Sequence, residues 1–319
     1  HLAYILAGIK KDDEVITPVL TCSATNHPLL WLSAIPVFTD IDLNTLNIDP
    51  LDIERKITEK TKAIVVMYNG GMPCDMDAIM SIAKKHNLKV IEDCAQALGG
   101  TYKGQKLGTF GDFAIFSFQA IKHITTGDGG MLVCRNEEDA KRAKRLRWYG
   151  IDKELRRERD TLIPDRFNPF WQRAMTFDVD ETGYKYQMTD IAATIGLANF
   201  EKLSTILETR RKIVEQYRNE LDGLPKITLL KNDTGHANWL FQILVDNRKD
   251  FQDFMSQKGI ETNMVQCRND IYKIFGGKKQ DLLNMNSIEN NYVSIPLHCS
   301  LTEEQVGYIT SSIQEYAQA

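Results

Sequence analysis

The chain has 319 residues, 43% of them hydrophobic and 26% charged, with a formal net charge of −4. This is apolar material for one large core plus a smaller one, so one or two domains are expected. A mildly acidic balance without a Lys/Arg run argues against a nucleic-acid partner, and no apolar run is long enough to span a bilayer.

Residues 1–9 read as helix, with Leu2, Ile5, Leu6 and Ile9 on one face. No capping signal precedes them, so an upstream segment is expected. No signal-peptide pattern is visible. Residues 14–18 read as a strand ending at Pro18, and 20–26 lead into a helix over roughly 28–33. A strand over 35–42 ends in acids, and a short amphipathic helix covers 51–58. The apolar strand 63–67 runs into a tight Gly70-Gly71 turn, read as a simple connection or a ligand-facing one. Asp75 caps a helix over 76–86, and 88–91 is a short buried strand closed by Glu92-Asp93. Apolar strands alternating with amphipathic helices predict parallel βαβ units. Strands 113–118 and 131–134 follow each other without a helix, so one is expected to run antiparallel in a mixed sheet.

A charged helix over 137–147 presents a solvated face. Residues 152–181 are highly charged and carry Phe167, Phe170 and Trp171; they read as a flap near a substrate pocket or as a surface insertion. A long helix over 188–221, with small residues early, is expected to bridge two domains. Beyond it, strands 227–230, 239–245, 261–265 and 292–295 and helices 248–258 and 302–316 predict a small α+β unit. Thr302 and Gln305 form a capping-box pattern. The expected division is a large domain over 1–205 and a small one over 206–319.

Two residues carry chemistry. Lys122 is a lone lysine just past the apolar strand 113–118 and beside the glycine-rich turn 125–130. Desolvation there lowers an amine's pKa and frees it for Schiff-base chemistry; the alternative is a solvated lysine at a strand end. Asp93 lies about thirty residues upstream at the carboxyl end of a buried strand, where open α/β sheets bind ligands. A carboxylate there can keep a pyridine nitrogen protonated; its alternative is a helix N-cap. His123 and His298 read as structural or surface residues. Arg268 reads as exposed, with anion binding as the other possibility. The cysteines at 22, 74, 94, 134, 267 and 299 lack CxxC spacing. They suggest reduced thiols in a cytoplasmic protein, with no metal site.

The stretch EDCAQALGGTYKGQKLGTFGDFAIFSFQAIKHITTGDGG resembles the central motif of the DegT/DnrJ/EryC1/StrS family of sugar aminotransferases, and the likeness runs from DDEVITPVLTCSAT to SIPLHCSLTEEQ. The resemblance implies a fold-type-I enzyme dependent on pyridoxal 5′-phosphate: an α/β fold with a mixed, mostly parallel sheet flanked by helices, and a smaller C-terminal α+β domain. It implies that Lys122 bears the cofactor and that Asp93 pairs with its ring nitrogen. Gln96 would reach the ring or its phenolic oxygen, and Ser117 would bind the phosphate. Lys185, where relatives commonly carry Asn, would complete the phosphate site of a neighbouring subunit in a homodimer. A Ser-Gly-Thr turn upstream of His1 would supply further phosphate contacts. Gln119 stands where relatives often have histidine, and Cys22 where they carry a ring-stacking aromatic. A dehydratase branch has histidine in place of Lys122, so the lysine favours transamination. The implied reaction moves an amino group, by resemblance from glutamate, to a nucleotide-linked keto sugar. The rival reading is a non-catalytic relative acting as a cofactor sensor or scaffold. A nicotinamide-dependent dehydrogenase lacks its GxGxxG fingerprint here.

Overall fold

The structure is a computed structural model that describes residues 1–152, 179 and 181–319. The segment 152–181, read as a flap, lies outside the described residues apart from Asp152, Val179 and Glu181.

Among the described residues, the strands are β1 (Glu14–Pro18), β2 (Leu20–Thr21), β3 (Ile35–Thr39), β4 (Thr61–Met67), β5 (Lys89–Asp93), β6 (Thr101–Tyr102), β7 (Gln105–Lys106), β8 (Phe113–Ser117), β9 (Gly130–Cys134), β10 (Ile227–Leu229), β11 (Phe241–Val245), β12 (Cys267–Arg268) and β13 (Tyr292–Ile295). A six-stranded sheet has the order β3-β1-β4-β5-β8-β9. All of its pairings are parallel except β8–β9, which is antiparallel as the missing helix between them predicts. Its central strands are apolar on both faces because helices cover both sides. Successive side chains alternate between the two layers. Ile64 and Val66 pack with Ile53, Met76 and Ile79 of helices Pro50–Lys56 and Met76–His86. Ala63 and Val65 pack with Ala3 and Leu6 of helix Leu2–Leu6 and Leu146 of helix Glu137–Leu146.

A three-stranded antiparallel sheet, β10-β11-β13, backs a second core with helices Leu203–Leu221, Arg248–Gln257 and Glu303–Gln318. Tyr217, Phe251 and Ile313 are fully buried there. Thr302 and Gln305 form the capping box read from the sequence. The two parts of the chain are joined by β12, which pairs antiparallel with β2.

Three expectations change. The helix read from about 28 begins at Ser23 and runs through Pro28 to Trp31, so the polar Thr25 and Asn26 are helical. The helix over 188–221 is two, Asp190–Phe200 and Leu203–Leu221; between them the Lys202 N–H bonds back three residues, to the Asn199 carbonyl, and the α-helical ladder is interrupted. The strand expected over 261–265 is reduced to a single antiparallel bridge, Asn263 to Ser294 of β13. The Asn263 side chain accepts from the Val265 N–H, Val265 takes a left-handed φ of 53°, and this turn diverts the chain toward β2.

Candidate active site

Parallel register brings the carboxyl ends of β4, β5 and β8 to one edge: Met67 lies opposite Asp93, and Asp93 opposite Ile115. A cleft of about 630 Å³ opens there, floored by apolar side chains such as Val65, Ile91 and Ile115. This is within the size range of small-molecule sites.

Asp93 is buried at the bottom. Its Oδ1 accepts the Ala95 N–H at 3.0 Å in a local turn, so it does not cap a helix. Its Oδ2 accepts the Thr25 hydroxyl at 2.7 Å. Thr25 is held in turn: its Oγ1 lies 2.9 Å from that of Thr21, and its carbonyl accepts the Tyr4 hydroxyl at 2.8 Å. Burial raises the Asp93 pKa above the ordinary carboxylate value, opposed by those two hydrogen bonds and by the charge of Lys122. A cation placed beside it, such as a protonated ring nitrogen, favours its ionised form.

Lys122 follows β8 in a loop closed by Lys122 N–H to Gln119 O at 3.0 Å and Thr126 N–H to Phe118 O at 2.9 Å. Desolvation lowers its amine pKa, with Asp93 and Cys22 opposing. Its Nζ lies 3.9 Å from the centroid of the Trp239 ring. The site therefore brings together an amine with a depressed pKa and a buried carboxylate, as the sequence predicts for Lys122 and Asp93.

Gln96 is 2% exposed and lines the same cleft. Its Oε1 accepts the Gly70 N–H at 2.7 Å, so the amide NH₂ is what it can offer a ligand. The Gly70-Gly71 turn is thus a support for the cleft. Its second glycine has φ +95°, and a Cβ there would come 2.7 Å from the Gln96 carbonyl. Ser117, at the end of β8 opposite Gly130, also lines the cleft. Its Oγ accepts the Gln119 N–H at 3.3 Å and keeps its own proton to donate. Cys22 lines the wall at the N-cap of helix Ser23–Trp31.

Lys185 is not among the residues around this cleft. It is exposed, with its Nζ 3.8 Å from the centroid of the Trp148 ring. His123 is structural: its Nε2 lies 2.8 Å from the Ala237 carbonyl, and burial pushes its pKa down to about 4. Arg268 is a correction to the sequence reading. It is 4% exposed and holds Asp270 bidentately at 2.8 and 2.6 Å and Glu289 at 2.9 Å, so it is neither exposed nor free for an anion.

Sequence reasoning missed Thr25, Trp239 and Glu92. Thr25 sits in the polar run TCSATN, which hinted at a lined pocket, but its partner Asp93 is 68 residues away. Trp239 lay hidden in an apolar run. Glu92, fully buried, accepts three backbone N–H groups and the Tyr68 hydroxyl.

The chemistry of the cleft suits a phosphorylated pyridine aldehyde: it holds a buried carboxylate, an amine, apolar side chains, and hydroxyl and amide donors. A lysine and a carboxylate converging at the carboxyl edge of such a mixed sheet define a fold-type-I transferase that uses pyridoxal phosphate. The family model of the DegT/DnrJ/EryC1/StrS aminotransferases matches residues 1–314, and the chain belongs to that family. It is 35% identical over 319 residues to GDP-perosamine synthase from Escherichia coli O157:H7, covering 99% of this chain and 82% of that protein. It is 33% identical to the spore coat polysaccharide biosynthesis protein SpsC of Bacillus subtilis (strain 168), covering 98% and 82% of the two chains. The solved structure of the sugar aminotransferase CalS13 from Micromonospora echinospora superposes with a TM-score of 0.89 at 30% identity, covering 99% of this chain and 84% of that one. The protein is a sugar aminotransferase dependent on pyridoxal phosphate. No described helix is long and apolar enough to cross a membrane.

Proposed function

We propose that the protein moves an amino group from glutamate to a nucleotide-linked keto sugar, with Lys122 as the cofactor-bearing residue and proton carrier. The observation that carries this reading is the convergence of Lys122 and Asp93 in one cleft. Relatives named GDP-perosamine synthase and spore coat polysaccharide biosynthesis protein support a nucleotide sugar as acceptor and glycan synthesis as context. Glutamate is the donor that the family resemblance implies.

When bound, pyridoxal phosphate supplies an aldehyde and an electron-withdrawing ring. Lys122, whose amine pKa is lowered by desolvation, gives up its proton more readily than an exposed lysine. Once freed by the incoming donor, the same amine takes the proton from the donor Cα and returns it as an acid. Asp93, oriented by Thr25 and the Ala95 N–H, keeps the ring nitrogen protonated. Gln96 offers its amide donors to the ring substituents and Ser117 its hydroxyl to the phosphate. Val65, Ile91 and Ile115 keep water from the ring face.

The site is shared in this reading. Helix Asp190–Phe200 has no buried residue and carries one charge, Asp190, while Ile191 is 78% and Leu197 69% exposed. An apolar helix so bare calls for a covering surface. A second copy supplies it, and Lys185, a few residues before that helix, then reaches the partner's cleft as a point charge for phosphate. The division near residue 205 fits the cores around Ile64 and around Tyr217, and a further cluster, with Leu20 and Phe38 against Leu282 and Met285, packs across it. The six free thiols fit a reducing cytoplasm.

The test is the visible absorption of the purified protein with added pyridoxal phosphate, beside Lys122→Ala. A lysine-bound band in the parent, absent in the variant and bleached by glutamate, is expected; a band of equal strength in both overturns Lys122 as the attachment site. Sedimentation of a fully active monomer overturns the shared site.

A further inference from the structure

One side chain from the C-terminal unit meets the Lys122 loop twice. The Trp239 indole N–H donates to the Ile121 carbonyl at 3.0 Å, and its ring lies 3.9 Å from the Lys122 amine. Trp239 is also anchored through its main chain. Its backbone N–H donates to the Gly70 carbonyl at 2.8 Å, and its carbonyl accepts from Arg210 at 3.1 Å. Two residues earlier, the Ala237 carbonyl lies 2.8 Å from the His123 ring nitrogen. The residues on both sides of Lys122 are therefore tied to segment 237–239. Gly70, whose carbonyl accepts from Trp239, donates its own N–H to the Gln96 side chain.

We propose that Trp239 is a positioning residue for Lys122: its ring face is the resting place of the lysine ammonium whenever the amine is not joined to the cofactor. The inference rests on the reading of Lys122 as the cofactor lysine. A lysine on a flexible four-carbon stem beside a glycine-rich turn needs such an anchor to return to one point in the cleft. The distance lies well inside the range of cation–π attraction, which strengthens where water is excluded. Chemically, the ring stabilises the charged amine without offering it a hydrogen-bond acceptor. The other titratable groups facing the amine are Asp93 at the end of β5, Cys22 at the start of helix Ser23–Trp31, and His123, with Arg210 behind it; His1, Tyr4 and Asp128 line the same cleft. The anchor comes from the segment leading into β11, so the small unit helps orient the reactive lysine.

The experiment uses the full chain without cofactor. Acetic anhydride labels lysines in proportion to their free amine, and peptide mass spectrometry compares Lys122 with the other lysines of the same sample. Trp239→Leu removes ring and N–H; Trp239→Phe keeps a ring face and removes the N–H. The expected result at neutral pH is a roughly fivefold to thirtyfold rise in Lys122 labelling for Trp239→Leu, and a change under about threefold for Trp239→Phe. Equal labelling of Lys122 in the parent and a folded Trp239→Leu overturns the proposal, as does labelling in Trp239→Phe as fast as in Trp239→Leu. Biosynthetic 5-fluoro- and 5,7-difluorotryptophan keep the shape of the indole and weaken its ring face, so the question stands even where the leucine variant fails to fold. Labelling that rises stepwise with fluorine supports the proposal, and labelling that stays flat overturns it. Because no cofactor is present, these outcomes are independent of the absorption test. A missing lysine-dependent band with a clear labelling contrast sinks only the attachment site, and a normal band with flat labelling sinks only the anchor.

Discussion

Replacing Glu92 by glutamine takes one acceptor oxygen from a carboxylate with four donors around it. Oε1 accepts the Phe110 and Gly111 N–H groups at 2.7 and 2.6 Å. Oε2 accepts the Gly108 N–H at 2.7 Å and the Tyr68 hydroxyl at 2.5 Å. If the new NH₂ replaces Oε1, two backbone donors lose their partner and face another donor. If it replaces Oε2, the Tyr68 hydroxyl can turn to accept, with its proton toward the Met76 sulfur 3.3 Å away, but Gly108 cannot. The second arrangement is the cheaper, and it still strands one buried N–H, which costs about 1–3 kcal/mol. The two surviving amide bonds lose the ionic component, about 1 kcal/mol each. Removing a buried charge returns part of this. A net loss of roughly 2–4 kcal/mol remains, with no cavity because the side chains match in shape. Urea unfolding of parent and Glu92→Gln measures it. A change under about 0.5 kcal/mol, no more than a neutral surface substitution, would refute the view that the 108–111 turn hangs on this carboxylate.

Other outcomes follow from the same geometry. The His123 pKa is about 4 in the folded protein against an ordinary 6.5, so below pH 6.5 the unfolded chain binds the extra proton. Stability is complete above that pH and declines as pH falls toward 4, by up to about 3 kcal/mol; in His123→Gln the urea midpoint should depend less on pH across this window. An unchanged slope would show that the ring is not held neutral. Gly71→Ala places a Cβ 2.7 Å from the Gln96 carbonyl at φ +95°, so a loss of at least roughly 1–3 kcal/mol is expected, together with weaker cofactor binding as Gln96 shifts. Wild-type affinity in an absorbance titration would contradict this. Thr25→Val keeps the shape but withdraws the hydroxyl from Asp93 Oδ2, raising the Asp93 pKa further. Cofactor affinity should fall about tenfold, the size of one hydrogen bond to a charged group. No change would mean that Thr25 does not help hold the carboxylate ionised.

Much of the fold is local information. Strands β1, β4 and β5, helix Met76–His86 with its Asp75 cap, the antiparallel β8–β9 pair and the Thr302 capping box all follow from short-range periodicity and turn chemistry, which backbone geometry reads within a few residues. That Lys122 and Asp93 line one cleft was legible for the same reason: Asp93 ends β5, Lys122 lies in the loop after β8, and ligands gather at such strand ends.

What the chain alone left open depends on contacts between residues far apart. A charged side chain is buried or exposed according to its partners, so Arg268, beside Asp270 and Glu289, read as exposed and is buried. The helix over 188–221 looked continuous because each half is helical by itself. Ile121 and Trp239 are separated by 118 positions, and Thr25 and Asp93 by 68. Their meeting requires the parallel register of β4, β5 and β8 and the docking of the small sheet, neither of which any short window contains. The sequence by itself determined which groups could do chemistry. Tertiary packing decided which of them are desolvated, which face one another, and which merely hold the rest in place.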